Sequence, residues 1–387
     1  MNILDYIRTR GDLSFKADPF NDVDNLVFSQ LVYAEFGEIM DKEKKITIGK
    51  LGEEFFAKMS EDLTNYRRFD KDGVLVLKEA YKAPRYKDCV AYNYVSKLHA
   101  DTTEQFTAMM VDLPDHTTVV CFKGTDEHLI GWKEDLFLSY KEIAGQYDAV
   151  DYVNKHCSVL RKYRFIGHSK GGNLAAFAAL RCNPVLRWRI EQIISNDGPG
   201  LRPGSYDEKE FAKIKERYRL IVPEKDGVGT IYEIAPHKTI ARISTKNIIK
   251  AHNILTWQVE ANRIAKADMD SYQTDRTRRA MVELLNDTTP QEREIFVEEL
   301  FQALDDAGIT TVTQLADMSV PFFFRIVKEL SEMNKIAKNV AVRVLKASQT
   351  SITSDLHKAV NERKEAIRAS FNRRDNNEEE QDYPDLN

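Results

Sequence analysis

This chain of 387 residues has few cysteines, no excess of basic residues and no long apolar run. Its four cysteines form no close pair and no Cys-x-x-Cys motif, so we expect neither a disulfide nor a zinc site. The formal net charge of −5 argues against a general basic surface for nucleic acid or anionic lipid. The chain contains no run of about 18 apolar residues and no signal-like start. We therefore expect a cytoplasmic protein without a stable membrane anchor.

The first part of the chain contains an amphipathic segment and a hairpin signal. Residues 24–36 space their apolar side chains along one face of a helix. Residues 105–113 and 117–125 are apolar or β-branched and are separated by Pro114 and Asp115. Two such runs around a short turn are typical of an antiparallel hairpin.

Helical and strand signals then alternate. The predicted helices are 147–160, the segment after Gly171 and 207–218; the predicted strands are 163–167, 191–197 and 218–227, with a further hairpin at 230–244. This alternation predicts an α/β fold with a mostly parallel sheet flanked by helices.

Beyond about residue 266 the strand signal ends. Thr289, Pro290 and Glu292 form an N-cap, a first-turn proline and a capping-box acid, and Gly308 ends the helix that they open. Further helices are expected at 320–347 and 353–371. We therefore predict an α/β domain at 1–265, an all-helical extension at 266–370 and a disordered acidic tail at 371–387.

Ser169 is the candidate nucleophile. It lies between Gly167 and Gly171, after a predicted strand and before an alanine-rich helix. Small residues two positions before and after a serine are what a sharp strand-to-helix turn requires. A serine in an ordinary glycine turn is the structural alternative. A phosphate-binding loop is excluded because the GxxxxGK[ST] spacing is missing.

A serine nucleophile needs a base and an acid, which follow it in the order Asp then His in this kind of fold. Downstream of Ser169, His252 lies in a loop before an apolar segment and is favoured over His237 and His357. Asp226 is the favoured acid because it closes the second strand after the turn. Asp197 is interpreted as a turn former, and Glu224 stays an outside possibility.

Two backbone N–H groups are candidates for an oxyanion hole. Lys170 follows the serine at a helix N-terminus, and Thr125 follows an earlier buried strand. The side chain of Lys170 is expected to be solvated. Trp132 and Asp135 are interpreted as core and loop-bracing residues.

These motifs together resemble a known pattern. "FKGT", "GWKEDL" and "GHSKGGNLA", followed by an aspartate and a histidine, are similar to the class 3 lipases among the α/β-hydrolases. "GTDEHLIGWKED", "GHSKGGNLA" and "AHNILTWQV" resemble more closely a bacterial, lipase-like family of unknown function. The resemblance covers about residues 20–262 and implies Ser169, Asp226 and His252 as catalytic residues. Lys123 departs from the pattern, which has an arginine there.

The resulting hypothesis is a serine hydrolase that cleaves a small or lipid-like acyl ester through an acyl-Ser169 intermediate. No metal and no cofactor are implied. The segment from Thr125 to Asp135 is short and polar and offers no long apolar lid, which argues against hydrolysis of triglyceride droplets. The alternative is a non-catalytic scaffold whose C-terminal helices bind a protein partner or each other.

Overall fold

The structure is a computed structural model that describes residues 1–41, 45–59, 66, 70–225, 227–269, 276–311, 314 and 333–343. The helices within these ranges are α1 (Ile3–Arg10), α2 (Asp22–Leu31), α3 (Gly37–Met40), α4 (Ile48–Lys58), α5 (Asp70–Ala80), α6 (Leu129–Phe137), α7 (Ala144–His156), α8 (Lys170–Arg181), α9 (Pro184–Arg187), α10 (Glu208–Ala212), α11 (Ile248–Ala251), α12 (Arg276–Asn286) and α13 (Pro290–Asp306). The strands are β1 (Lys45–Thr47), β2 (Val90–His99), β3 (Glu104–Asp112), β4 (Thr117–Phe122), β5 (Lys162–His168), β6 (Ile190–Asn196), β7 (Tyr218–Pro223), β8 (His237–Ala241), β9 (Val259–Glu260) and β10 (Arg263–Ile264).

In the described part of the chain, β1 to β8 form one sheet in sequential order. Neighbouring strands from β1 to β4 are antiparallel, and those from β4 to β8 are parallel. The hairpin predicted around Pro114 is confirmed as β3 and β4. The fold is α/β-hydrolase-like, with a mostly parallel sheet flanked by helices, as the sequence predicted.

Several predicted elements differ from the structure, among them the helix expected over 207–218, where α10 ends at Ala212. The helix expected over 24–36 is α2, which ends at Leu31. The hairpin expected over 230–244 is wrong, because β8 is the strand in this range and it pairs in parallel with β7. The first half of the supposed hairpin is a turn: the N–H of Ile231 donates to Val228 O, and Ile231 O accepts from Gly200 N at 2.8 Å. This turn bonds through its backbone to a neighbouring loop, and the apolar pattern of the sequence alone does not distinguish it from a strand.

Side chains of the central strands alternate between two buried layers. Val119, Cys121 and Ile166 face the N-terminal helices, whereas Val120 and Phe165 face the layer that contains α7 and α8. A parallel sheet that is covered on both faces leaves its strand ends as the accessible edge, and ligands of such sheets bind beyond the carboxyl ends of the strands.

Helix α13 of the C-terminal extension packs on the sheet domain. Phe301 and Leu304 of α13 are buried in the same cluster as Phe165. The N–H of Leu129, which begins α6, donates to Thr310 O at 2.9 Å. The capping box of Thr289 and Glu292 is confirmed.

Most of the later extension lies outside the described residues. This holds for most of the helix predicted at 320–347, for the one at 353–371 and for the tail at 371–387. The domain boundary at residue 266 stays a prediction. Among the described helices, none is both long and apolar enough to cross a membrane.

Packing of α13 predicts an asymmetric response to substitution. Leu304→Ala removes a side chain that is 6% exposed and should lower the free energy of unfolding by about 2–4 kcal/mol. Glu294→Ala, on the exposed side of the same helix, should change it by less than about 0.5 kcal/mol. Urea unfolding of both variants measures the difference. Equal effects would show that α13 does not belong to the core.

Candidate active site

Ser169 occupies a strained turn between β5 and α8. Its backbone angles are φ 57° and ψ −132°, a region that residues with a Cβ atom rarely adopt. A side chain at Gly167 would clash with the backbone of Gly171, and one at Gly171 would clash with the carbonyl of Phe122. The glycine spacing is therefore required by the turn, which holds Ser169 at the carboxyl end of β5.

His252 and Asp197 form a close pair at the same edge of the sheet. His252 Nδ1 lies 2.6 Å from Asp197 Oδ2, and the Asp197 side chain is 1% exposed. The other carboxylate oxygen accepts the N–H of Gly229 at 2.9 Å. Since a carboxylate only accepts, Nδ1 of a neutral His252 carries the proton and Nε2 is free of one. This is the tautomer that a general base needs.

The register of the sheet brings Ser169 and Asp197 together. His168 of β5 pairs with Asn196 of β6, so Ser169 and Asp197 each follow one member of the same pair. The N–H of Ser169 donates to Asn196 O at 2.9 Å. His252 is close to this turn, because its ring centroid lies 4.5 Å from that of His168.

Asp197, which the sequence analysis did not assign as the acid, contacts His252, and the assignment of Asp226 stays a prediction. Asp226 lies outside the described residues. The interpretation of Asp197 as only a turn former needs correction, because its carboxylate holds both His252 and Gly229. "SND" ends β6 at the level where "GHS" ends β5, and this equal placement is the signal that could have identified Asp197.

Thr125 lies beside the turn, as its place after β4 suggested. Phe122 of β4 pairs with Gly167 of β5, and a Cβ atom on Gly124 would stand 3.0 Å from the Cβ of Ser169. Among the described residues, the backbone N–H groups of Thr125 and Lys170 donate to no protein acceptor. Both N–H groups therefore remain available to an anion near the Ser169 hydroxyl.

Asp135 braces the Thr125 side chain. Thr125 Oγ1 donates to Asp135 Oδ1 at 2.8 Å, which agrees with the loop-bracing interpretation. Burial raises the pKa of Asp135 to about 6, although Lys170 and the Thr125 hydrogen bond act in the opposite direction. Besides Asp197, the site thus holds the carboxylate of Asp135, whose pKa is about 6.

The side chain of Lys170 is buried, and the expectation that it is solvated is wrong. Its ammonium group contacts Glu134 Oε2 at 2.6 Å and Gln105 O at 2.9 Å, and both members of the ion pair are fully buried. Glu134 also accepts the N–H groups of Gly145 and Gln105. Local sequence cannot show this, since the partner carboxylate is 36 positions away. Through these contacts the pair connects the start of α8 to β3, α6 and α7.

Lys123 stabilises the loop next to Thr125 as a single buried charge. Its ammonium group lies 3.6 Å from carboxylate oxygens of Asp70 and Asp126. Burial opposes ionisation of Asp126, but Lys123 and hydrogen bonds that include the N–H of His128 lower the pKa of Asp126 to about 2. The residue that departs from the arginine of the class 3 lipase pattern thus still braces this loop.

The mostly parallel sheet with flanking helices and the strand–turn–helix at Ser169 place the molecule in the class of α/β-hydrolase-like folds. The model of the Mbeg1-like family matches residues 80–302, which is more than half of the chain, and the chain belongs to this family. The matched segment includes Ser169, Asp197 and His252.

Comparison with other known proteins adds little detail. Among solved structures, the chain is similar to the one entitled "Crystal structure of M37 lipase", with 16% identity, a TM-score of 0.32 and coverage of 53% of this chain and 68% of that one. No curated protein matches the sequence.

The buried ion pair predicts that Lys170→Met destabilises the protein and that a second substitution, Glu134→Gln, restores part of the lost stability. Lys170→Met leaves the Glu134 carboxylate buried without its counter-charge and should lower the free energy of unfolding by about 3–5 kcal/mol. Lys170→Met with Glu134→Gln removes both charges and keeps an acceptor, so it should recover at least half of that loss. Urea unfolding of the two variants checks this. A double variant that is as unstable as the single one would contradict the proposed role of the charge.

The pKa of Asp135 predicts a pH-dependent stability. Because the folded-state pKa of about 6 exceeds the ordinary aspartate value of 3.8, the native state binds more protons than the unfolded state between these pH values. Ionised Asp135 therefore costs stability, and the cost is complete above pH 6 and absent below about pH 4.

Asp135→Asn removes the buried charge and keeps an acceptor for the Thr125 hydroxyl. It should therefore stabilise the protein by about 2 kcal/mol at pH 7.5 and leave its stability unchanged at pH 4. Thermal unfolding across this pH range measures the difference. Asp151→Asn, at an exposed position of α7, is the matched control. A pH-independent effect of Asp135→Asn would refute the prediction.

Proposed function

We propose that the protein is a serine hydrolase that cleaves an acyl ester, with Ser169 as nucleophile, His252 as base and Asp197 as the acid that orients it. The observation that carries the proposal is the strained turn at Ser169 next to the His252–Asp197 pair. Strain of this kind at a serine is concentrated at catalytic sites because the surrounding structure must impose it. Asp197 replaces Asp226 in this proposal.

The proposed reaction proceeds in two halves. The Ser169 hydroxyl oxygen attacks the acyl carbon while Nε2 of His252 takes its proton. The tetrahedral oxyanion accepts hydrogen bonds from the N–H groups of Thr125 and Lys170. The intermediate then collapses as His252 protonates the departing alcohol. Water then attacks the acyl-Ser169 ester with His252 again as base, which releases the carboxylic acid and restores the serine.

Preorganisation supports this assignment. The two N–H donors lie on segments held by buried charges, through Lys123 next to Thr125 and through Glu134 at Lys170. Donors that do not reorganise during the reaction give the largest electrostatic stabilisation of a developing charge. We propose a small or lipid-like acyl ester as the substrate class.

The acid assignment predicts different effects of two Asp→Asn substitutions. Asp197→Asn should lower kcat on an aryl ester by roughly 10⁴-fold, as the loss of the orienting acid does in other serine hydrolases. Asp226→Asn should change kcat by less than about threefold. Steady-state kinetics of the two variants, with Ser169→Ala as the inactive reference, decide between the carboxylates.

A fluorophosphonate probe tests the nucleophile itself. The wild-type protein should be labelled at one site, and Ser169→Ala should not be labelled. An unlabelled wild-type protein would favour the alternative of a non-catalytic scaffold, and labelling that survives in Ser169→Ala would identify a different nucleophile.

A further inference from the structure

His168, the residue before Ser169, is a buried histidine that the reaction above does not use. It is 7% exposed, and each of its ring nitrogens has a partner. Nε2 lies 2.8 Å from the backbone oxygen of His252, and Nδ1 lies 3.1 Å from the hydroxyl of Tyr33.

The chemistry of these partners determines where the protons are. A carbonyl oxygen only accepts, so Nε2 of His168 must carry a proton and donate it to His252 O. Burial, with a further contribution from His252, holds the pKa of His168 well below 6.5. The neutral ring then has a bare Nδ1, which accepts the hydroxyl proton of Tyr33.

Tyr33 extends this chain of hydrogen bonds. Its hydroxyl oxygen accepts the N–H of Gly124 at 3.1 Å, while the hydroxyl proton points to His168. The bonds therefore run in one direction, from Gly124 through Tyr33 and His168 to the carbonyl of His252. We name these four residues the buried relay.

Two residues of the buried relay are direct chain neighbours of candidate site residues, and a third is the proposed base. Gly124 precedes Thr125 and His168 precedes Ser169, whereas His252 is itself the base. Asp197 holds the His252 ring at Nδ1, and His168 holds the backbone of the same residue. Two anchors, one on the ring and one on the backbone, define both the place and the orientation of the imidazole.

We propose that His168 is a positioning residue. As a neutral donor to His252 O, it holds the imidazole of the base in place relative to Ser169 and the loop of Thr125. This inference rests on the proposed function. A displacement of about 1 Å between reacting groups can cost roughly 100-fold in rate, so an anchor on the backbone of the base affects turnover more than substrate binding.

Two substitutions of His168 separate positioning from packing. His168→Leu fills the space but cannot donate, and we expect kcat to fall by about 30- to 100-fold with KM within twofold of wild type. His168→Gln has a terminal amide that can donate to His252 O and accept from Tyr33, so it should restore kcat to within about fivefold. Tyr33→Phe keeps the donor on His168 and should lower kcat by less than about tenfold.

The readouts are kcat and KM on a soluble aryl ester, the rate of fluorophosphonate labelling and the downfield proton resonance of His252 Nδ1–H. His168→Leu should weaken or shift this resonance, whereas His168→Gln should keep it. Urea unfolding confirms that the variants are folded under assay conditions.

Each outcome decides a different point. Wild-type kcat in folded His168→Leu overturns the positioning role, as does a kcat in His168→Gln as low as in His168→Leu at equal stability. A wild-type protein without esterase activity and without labelling overturns the proposed function first, and the positioning role falls with it.

Discussion

The left-handed backbone of Ser169 is the constraint on which the arrangement of the site depends. A positive φ at a residue with a Cβ atom is unfavourable by about 1–3 kcal/mol, and the chain keeps it only because β5 and α8 are both held firmly. Gly167 and Gly171 allow the two elements to approach, and the ion pair of Lys170 with Glu134 fixes the first residue of α8. The reactive hydroxyl is thus presented by packing and by buried charge together.

Buried polar groups surround this turn, and each is matched with a partner from a distant segment. Lys170 contacts Glu134, Lys123 contacts Asp70 and Asp126, and His168 contacts Tyr33. Such pairs contribute little net stability compared with apolar side chains of the same size, because removing charge from water is costly. Their effect is on geometry, since each pair is satisfied in one arrangement of the loops, and that arrangement leaves the N–H groups of Thr125 and Lys170 available.

Local patterns predicted the elements of this site well where the structure depends on neighbours in sequence. The strand before Ser169, the helix after it and the antiparallel hairpin of β3 and β4 all follow from periodicity and turn residues. The same patterns were wrong for the segment around Ile231, where the backbone forms a turn bonded to the loop of Gly200 and not a strand. They were also wrong in predicting a solvated Lys170 side chain, because the residues at the start of a helix do not show whether a distant carboxylate contacts that lysine in the fold.

The sequence by itself determined the sharp turn and its nucleophile candidate, because the glycines that permit the turn lie within five consecutive residues. It also singled out His252 by its place in a loop. Only the tertiary structure showed that Asp197 contacts that histidine, since the two residues are 55 positions apart in the chain. The register of β5 and β6 places the same aspartate beside Ser169. The physical reason is that backbone conformation responds to nearby side chains, whereas charge pairing depends on which distant segments the folded sheet brings within hydrogen-bonding distance.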